Sequence, residues 1–355
     1  MKIDEYYYNA IDLLKKMIAI RSVSREETLL ADMLEDHLKK MNFVPSRKGN
    51  NLWISSREWK EGKPVILLNS HIDTVKPVAG WTKNPYVPEE IEGKLYGLGS
   101  NDAGASLVSL LSVFLLLTSK EQDYNLIFLA SAEEEVSGKE GIELALVDLP
   151  PVSFAIVGEP TAMQPAIAER GLMVLDCVVE GRSGHAARNE GENAIYKTFP
   201  IIDWFRTKQF PRKSDLLGEV KMTVTMINSG TQHNVIPDKC TFTVDVRTNE
   251  LYSNQELYNS IVESMENCKI EARSFRLNSS GLPSNHPILS RIKLLGLKPF
   301  GSPTLSDQSL MSFPSIKIGP GESSRSHTAD EFIYSTEIRE AIELYFKLLD
   351  GFNFE

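Results

Sequence analysis

Three short stretches of this chain are apolar almost without interruption: PVILLN at 64–69, NLIFLASA at 125–132 and VSFAIV at 152–157. A strand with one solvated face alternates in polarity, whereas a strand covered on both faces does not. Helical patterns separate the three runs. Residues 4–20 set Ile11, Leu14, Met17 and Ile18 on one face, and Ser24 and Glu27 form a capping-box pattern for a second helix to about residue 41. Further helices are predicted at 103–118, 139–147 and 335–349, with strands at 51–55 and 315–318. This alternation predicts a layered α/β sheet with helices on its faces.

The pattern changes near residue 171. Met173, Leu175, Cys177 and Val179 alternate with Val174, Asp176, Val178 and Glu180, as in a strand with only one buried face. A helix over 192–208, interrupted by Pro200, comes next, then alternating strands at 220–227 and 238–248, a helix at 254–267 and a strand at 269–276. The order β-α-β-β-α-β is that of the ferredoxin-like split unit. It reads as a module at 171–277, inserted into a discontinuous α/β domain formed by 1–170 and 278–355.

With 48 acidic against 38 basic residues the net charge is −10, a poor match for nucleic acid or an anionic membrane surface. The apolar stretch at 103–118 is short for a membrane span and reads as a buried helix. The N-terminal residues do not have the pattern of a secretory signal. The three cysteines, Cys177, Cys240 and Cys268, form no CxxC pair and suggest a reducing, cytoplasmic setting without a disulfide framework.

Seven residues with metal-site chemistry arrive in order: His71 and Asp73 in NSHIDTVKP, Asp102 in YGLGSNDAGAS, Glu134 and Glu135 in SAEEEVSG, Glu159 in IVGEP, and His327 in SRSHTADE. Each has an ordinary explanation. His71, Asp73, Glu159 and His327 would suit surface loops, Asp102 a helix N-cap, and the Glu133–Glu135 run a solvated face. Several of them, however, fall where an apolar strand runs out into a loop, which is where ligands collect in open α/β sheets. Two imidazoles and three carboxylates form a donor set for Zn²⁺, with Co²⁺ or Mn²⁺ as substitutes. A further carboxylate would then remain free as a base, and Asp73 could orient the imidazole of His71. The Gly97–Gly99 turn has neither the third glycine nor the Lys-Ser/Thr pair of a nucleotide loop.

These residues in this order resemble the M20 metallopeptidase family over nearly the whole chain. The resemblance implies a three-layer zinc-hydrolase catalytic domain carrying an inserted βαββαβ ferredoxin-like lid and dimerisation domain. It implies that His71 and Glu159 bind one metal and Glu135 and His327 the other, with Asp102 bridging. Glu134 falls on the general base and Asp73 on the orienting carboxylate. In the lid, GRSGHAA places His185 on the residue that hydrogen-bonds the developing oxyanion. Asn234 in HNVIP and Arg247 in VDVR fall on substrate-binding positions. Two divalent ions, Zn²⁺ with Co²⁺ able to substitute, and a homodimer through the lid are implied as well.

Two departures stand out: AGAS follows Asp102, and the loop before His327 offers Ser324, Arg325 and Ser326 for substrate selection. Within the family, Glu at position 159 goes with deacylases and carboxypeptidases. The chain most resembles the acetylornithine deacetylase branch, which implies hydrolysis of a small-molecule N-acyl amino acid, N-acetyl-L-ornithine first. The alternatives are N-succinyl-diaminopimelate, N-succinylornithine, N-acetyl-lysine or a dipeptide as substrate, or a non-catalytic binding protein of the same fold.

Overall fold

The chain divides into two compact units, one of Met1–Ile167, Leu282–Phe300 and Ser306–Glu355, the other of Ala168–Gly281 and Gly301–Leu305. The computed structural model describes residues 3–188 and 190–354.

The first unit is built on a mixed sheet. Its strands run in the order Ser46–Lys48, Asn51–Ser55, Asn125–Ser131, Val65–His71, Phe154–Val157, Ser315–Lys317, after which Ala166 pairs with Lys317. The four strands from Asn125–Ser131 to Ser315–Lys317 are mutually parallel. All seven residues of Val65–His71 are buried. Ile66 and Leu68 enter one core, with Leu14, Leu30, Phe114 and Tyr345 from the helices Ile3–Ile18, Thr28–Lys40, Ala105–Thr118 and Ser335–Leu349. Val65 and Leu67 enter another, with Ile142 and Ala145 of the helix Ile142–Leu146. Leu126 and Phe128 divide from Ile127 and Leu129 in the same way. Both faces of these strands are therefore dry, and each large side chain so buried contributes about 1.5–3 kcal/mol.

The helix Ala105–Thr118 is apolar all round because it lies inside the unit, with only Leu115 and Thr118 not fully buried. Two of its serines are satisfied internally: the Ser109 hydroxyl donates to the Ala105 carbonyl (2.7 Å) and that of Ser112 to the Val108 carbonyl (2.8 Å). Asp102 does not cap this helix, since Gly104 stands at its N-terminus and Asp102 lies in the irregular turn before it.

The predicted capping box is not formed. The helix Thr28–Lys40 begins after Glu27 without a side-chain cap. Ser24 Oγ instead donates to the Asp73 carboxylate (2.7 Å), and Glu27 Oε1 accepts from Arg25 N (2.7 Å) and Glu133 N (3.2 Å). Buried groups lack water as an alternative partner, so they claim side chains that an exposed helix end can spare.

The second unit holds a four-stranded antiparallel sheet in the order Lys221–Ser229, Lys239–Thr248, Gly171–Glu180, Lys269–Ala272. The helices Ala194–Thr207, with Pro200 inside it, and Asn254–Glu263 complete a β-α-β-β-α-β order. Met173, Leu175, Cys177 and Val179 share a core with Phe242, Val244, Val246, Phe205 and Leu257. Asn193 and Ser253 cap the two helices, accepting from Ile195 N (2.9 Å) and Glu256 N (3.1 Å). The last strand and the second helix end earlier than their sequence patterns suggest.

Candidate metal centre

Four adjacent parallel strands end at one edge of the first unit, and each leads into chemistry. Val65–His71 ends on His71. Asn125–Ser131 runs into Glu133–Glu135, Phe154–Val157 into Glu159, and Ser315–Lys317 into the loop of His327. Burial of the strands fixes where their ends point.

The side chains of His71, Asp102, Glu134, Glu135, Glu159 and His327 gather there. His71 Nε2 lies 3.2 Å from Asp102 Oδ1 and 3.7 Å from Glu159 Oε1. His327 Nε2 lies 2.9 Å from Glu135 Oε2 and 3.7 Å from Asp102 Oδ2. Asp102 thus turns one oxygen to each imidazole. Two sets of possible donor atoms lie within 4.8 Å of one another, His71 with Glu134 and Glu159, and His71 with Asp102 and Glu135. Glu134 therefore stands among the potential ligands as well as beside them.

Asp73 ties the base of the site together. The His71 ring donates from Nδ1 to the Asp73 carbonyl (2.9 Å), with the carboxylate 3.5 Å away. That carboxylate accepts from the backbone N–H groups of Glu134 (3.0 Å) and Glu135 (3.2 Å) and from Ser24. Asp73 so fixes the ring of His71 through its carbonyl and the turn carrying two glutamates through its buried carboxylate. Glu133 has a left-handed backbone, φ 54°, and its carboxylate lies 3.8 Å from Arg25 Nε. A Cβ on Gly138 would strike that carboxylate.

Some contributors carry little signal in the sequence. Glu331 accepts three backbone N–H bonds from the turn that carries Asp102. Asp307 is buried and accepts from Ser131 Oγ (2.5 Å). The only hint of Glu331 is its place four residues after His327, and Asp307 in LSDQSL offers none. Arg325, a candidate for substrate selection, is engaged by Glu337 (2.7 Å) and lies over the rings of Phe332 and Tyr334. Ser326 accepts from Asn101 Nδ2 (3.2 Å), and Ser324 donates to Glu322 (3.3 Å).

Electrostatics mark the cluster as short of positive charge. Burial, followed by the Glu159 charge, pushes the Glu134 carboxyl well above the usual range. Burial does the same to Glu159, against the pull of His71, and raises Glu135 despite its bond to His327. Burial opposes a charged His71, yet hydrogen bonds to Asp102 and Asp73 outweigh it and hold the ring well above its ordinary value. The bond to Glu135 lifts His327 to about 9. Burial lifts Asp307 to about 7, and burial with the Asp102 charge lifts Glu331 to about 8. Asp102 is lowered: burial works against its charge, but the bond and charge of His71 prevail. Uncompensated carboxylates in a dry site are costly. Cations relieve that cost, and oxygen and imidazole nitrogen donors without thiolate fit Zn²⁺, Co²⁺ or Mn²⁺.

His185, Asn234 and Arg247 belong to the second unit. The sequence signals GRSGH and HNVIP meet there: Gly184–His185 pairs with Val235–Ile236, and Ala186 N donates to the Asn234 carbonyl (3.0 Å). His185 Nδ1 accepts from Ala187 N (3.1 Å). The Arg247 guanidinium is held by both oxygens of Asp245, at 2.8 and 3.0 Å.

Residues 67–351 match the sequence profile of peptidase family M20/M25/M40. The chain is 28% identical over 374 residues to an acetylornithine deacetylase of Proteus mirabilis, covering 96% of each chain. It is also 28% identical over 353 residues to a LysW-lysine/LysW-ornithine hydrolase of Sulfurisphaera tokodaii, covering 96% of this chain and 94% of that one. Among solved structures it resembles a dinuclear metal-binding M20 peptidase of Bacillus subtilis, with a TM-score of 0.73 at 15% identity, over 98% of this chain and 100% of the other.

Proposed function

The chain belongs to peptidase family M20/M25/M40 and is a hydrolase of amide or peptide bonds, and on that premise we propose that its substrate is N-acetyl-L-ornithine, cleaved to L-ornithine and acetate. The similarity to an acetylornithine deacetylase supports the substrate, and the disposition of Asp102, with one oxygen toward His71 (3.2 Å) and the other toward His327 (3.7 Å), supports a centre of two cations. His71 and Glu159 would hold one divalent cation and Glu135 and His327 the other, with Asp102 serving both. Zn²⁺ fits this set, and Co²⁺ can replace it. When bound, the cations polarise the acyl carbonyl and ease loss of a proton from the attacking water.

The chain's own groups do the rest. The Glu134 carboxylate takes the proton of that water as its oxygen bonds to the acyl carbon. The same proton then passes to the amide nitrogen as the C–N bond breaks, which gives the free amine and acetic acid, and the acid ionises to acetate by releasing the second proton of the water. Asp73 keeps His71 in one orientation and the Glu134 backbone in place. His185 hydrogen-bonds the developing oxyanion. Arg247, shared with Asp245, pairs with the substrate α-carboxylate, and Asn234 binds a substrate carbonyl or carboxylate. We assign the second unit the role of a lid that closes over substrate.

A homodimer through the second unit is part of this proposal. Lys221–Ser229 is an edge strand with Met226 and Ile227 exposed, and the helix Ala194–Thr207 exposes Tyr196 and Phe199. Exposed apolar residues on an edge suit a partner copy. Light scattering should give twice the chain mass, and a monomer at working concentration would refute it. The free cysteines fit a cytoplasmic enzyme.

The equal identity to the Sulfurisphaera protein favours a second reading, in which the substrate is LysW-ornithine or LysW-lysine. A panel settles the choice: N-acetylornithine, N-acetyl-lysine, N-succinylornithine, N-succinyl-diaminopimelate, LysW-ornithine and dipeptides, each with Zn²⁺ and Co²⁺. N-acetylornithine should show the highest kcat/KM. A higher value for any other member replaces the proposed substrate with that one.

A further inference from the structure

The turn carrying Asp102 and the loop carrying His327 are joined by side chains that touch neither imidazole. Glu331 Oε1 accepts from Asn101 N (2.8 Å) and Asp102 N (3.0 Å), and its Oε2 accepts from Gly99 N (3.1 Å). Its own carbonyl accepts from Gly97 N (3.0 Å). Asn101 makes the return connection. Its Oδ1 accepts from Glu322 N (3.1 Å), while Nδ2 donates to the Glu322 carbonyl (3.1 Å) and to Ser326 Oγ (3.2 Å). Both Glu331 and Asn101 are buried. Gly321, at φ +81°, leaves the space that Asn101 needs, since a Cβ there would strike its Oδ1.

Elsewhere in the site ligands are aimed by the ends of buried strands. Asp102 has no such support, because its turn interrupts the approach to a helix rather than ending a strand. His327 also lies on a loop, with φ 58°. Two irregular segments more than 220 residues apart must therefore be registered against each other, and the Glu331 and Asn101 bonds, with a Ser326 hydrogen bond to the Asp102 carboxylate, join them. With both its oxygens on backbone N–H groups, Glu331 acts through Asp102.

We propose that Glu331 is a positioning residue that sets the Asp102 carboxylate between the two imidazoles and locks the His327 loop to it, so that both cation sites form as one. This rests on the reading of Asp102 and His327 as ligands. Groups that hold a ligand in place typically affect metal affinity about ten- to a hundredfold. Because Asp102 serves both sites, the loss should appear at both.

The test uses the full chain, metal-free, titrated with Zn²⁺ and with Co²⁺ by calorimetry, alongside amide hydrogen exchange at Gly99, Asn101 and Asp102. The wild type should take two cations with these amides protected. Glu331→Ala should weaken both sites about ten- to a hundredfold and release the amides before any metal is added. Glu331→Gln retains an acceptor for two of the three N–H groups and should fall in between. It carries the test alone if thermal melting shows that the alanine variant is unfolded. Wild-type affinities with protected amides in a folded variant, or weakening confined to one cation, overturn the proposal. A wild type that binds fewer than two cations overturns the ligand reading beneath it.

Discussion

The two imidazoles of the centre are held in opposite ways. His71 is 1% exposed, ends a strand buried on both faces, and has its Nδ1 fixed by Asp73. His327 is 53% exposed, sits on a left-handed residue in a loop, and meets the cluster through Glu135 and Asp102. One is aimed by the core of the unit, the other by hydrogen bonds between loops. The first arrangement fixes its imidazole before any cation arrives. The second leaves room for a cation or substrate to enter, at the cost of relying on Glu331 and Asn101 for its geometry.

The largest expected effect lies between the two halves, on Glu134. Glu134→Gln should cut kcat by about a hundred- to ten-thousandfold while two cations still bind, as measured by elemental analysis. If a cation is lost as well, Glu134 is a ligand, as its place near His71 and Glu159 allows.

The histidines themselves test the contrast directly. His71→Ala strands Asp102, Asp73 and Glu159 without their buried partner, and should destabilise the metal-free protein by about 3–5 kcal/mol, read by urea unfolding. His327→Ala, which removes a half-exposed ring, should destabilise it less and lose one cation. Equal destabilisation by both would break the comparison.

Acidity should weaken cation binding. Both imidazoles are held above their ordinary value in the metal-free protein, and His327, at about 9, keeps its proton at neutral pH. A protonated imidazole cannot ligate, so cation binding releases protons and apparent affinity falls as pH falls. With His327 at about 9, affinity should still be rising above about pH 8. Calorimetry in two buffers of different ionisation enthalpy would show the released protons. A pH-independent affinity would contradict protonated imidazoles in the metal-free protein. The smallest effect is expected from Ser24→Ala, which removes one donor from Asp73 and should cost about 1 kcal/mol. Its activity should fall only severalfold, and unchanged stability and kcat would show that the N–H groups of Glu134 and Glu135 suffice.

The same contrast explains what could be read from the sequence. PVILLN and NLIFLASA announce strands buried on both sides because alternate residues enter different cores, and a ligand at the end of such a run can be seen in one dimension. His71, Glu134, Glu135 and Glu159 are legible in that way. Asp102 and His327 need their neighbours, as a lone Asp before a helix equally suggests a cap. Ser24 and Glu27 satisfy a local rule, but their partners are Asp73 and Glu133. Glu331 and Asp307 are invisible because the groups they hold are backbone amides and a serine far away in the chain. No periodicity encodes a bond of that kind.

The strand Ser315–Lys317 completes the parallel sheet late. The contact beyond it, Gly319 N to Thr161 Oγ1 (3.1 Å), spans 158 residues of chain. During synthesis the Phe154–Val157 strand is therefore made long before one of its two neighbours, and an unpaired apolar edge invites misassociation. Pairings at such separation are slow to form. A chain stopped short of residue 315 would keep His71, Asp102 and the glutamates yet present that open edge. The C-terminal part that brings His327 to the cluster also supplies the strand that covers this edge, so ribosome-bound intermediates of this protein should depend on chaperones until it emerges.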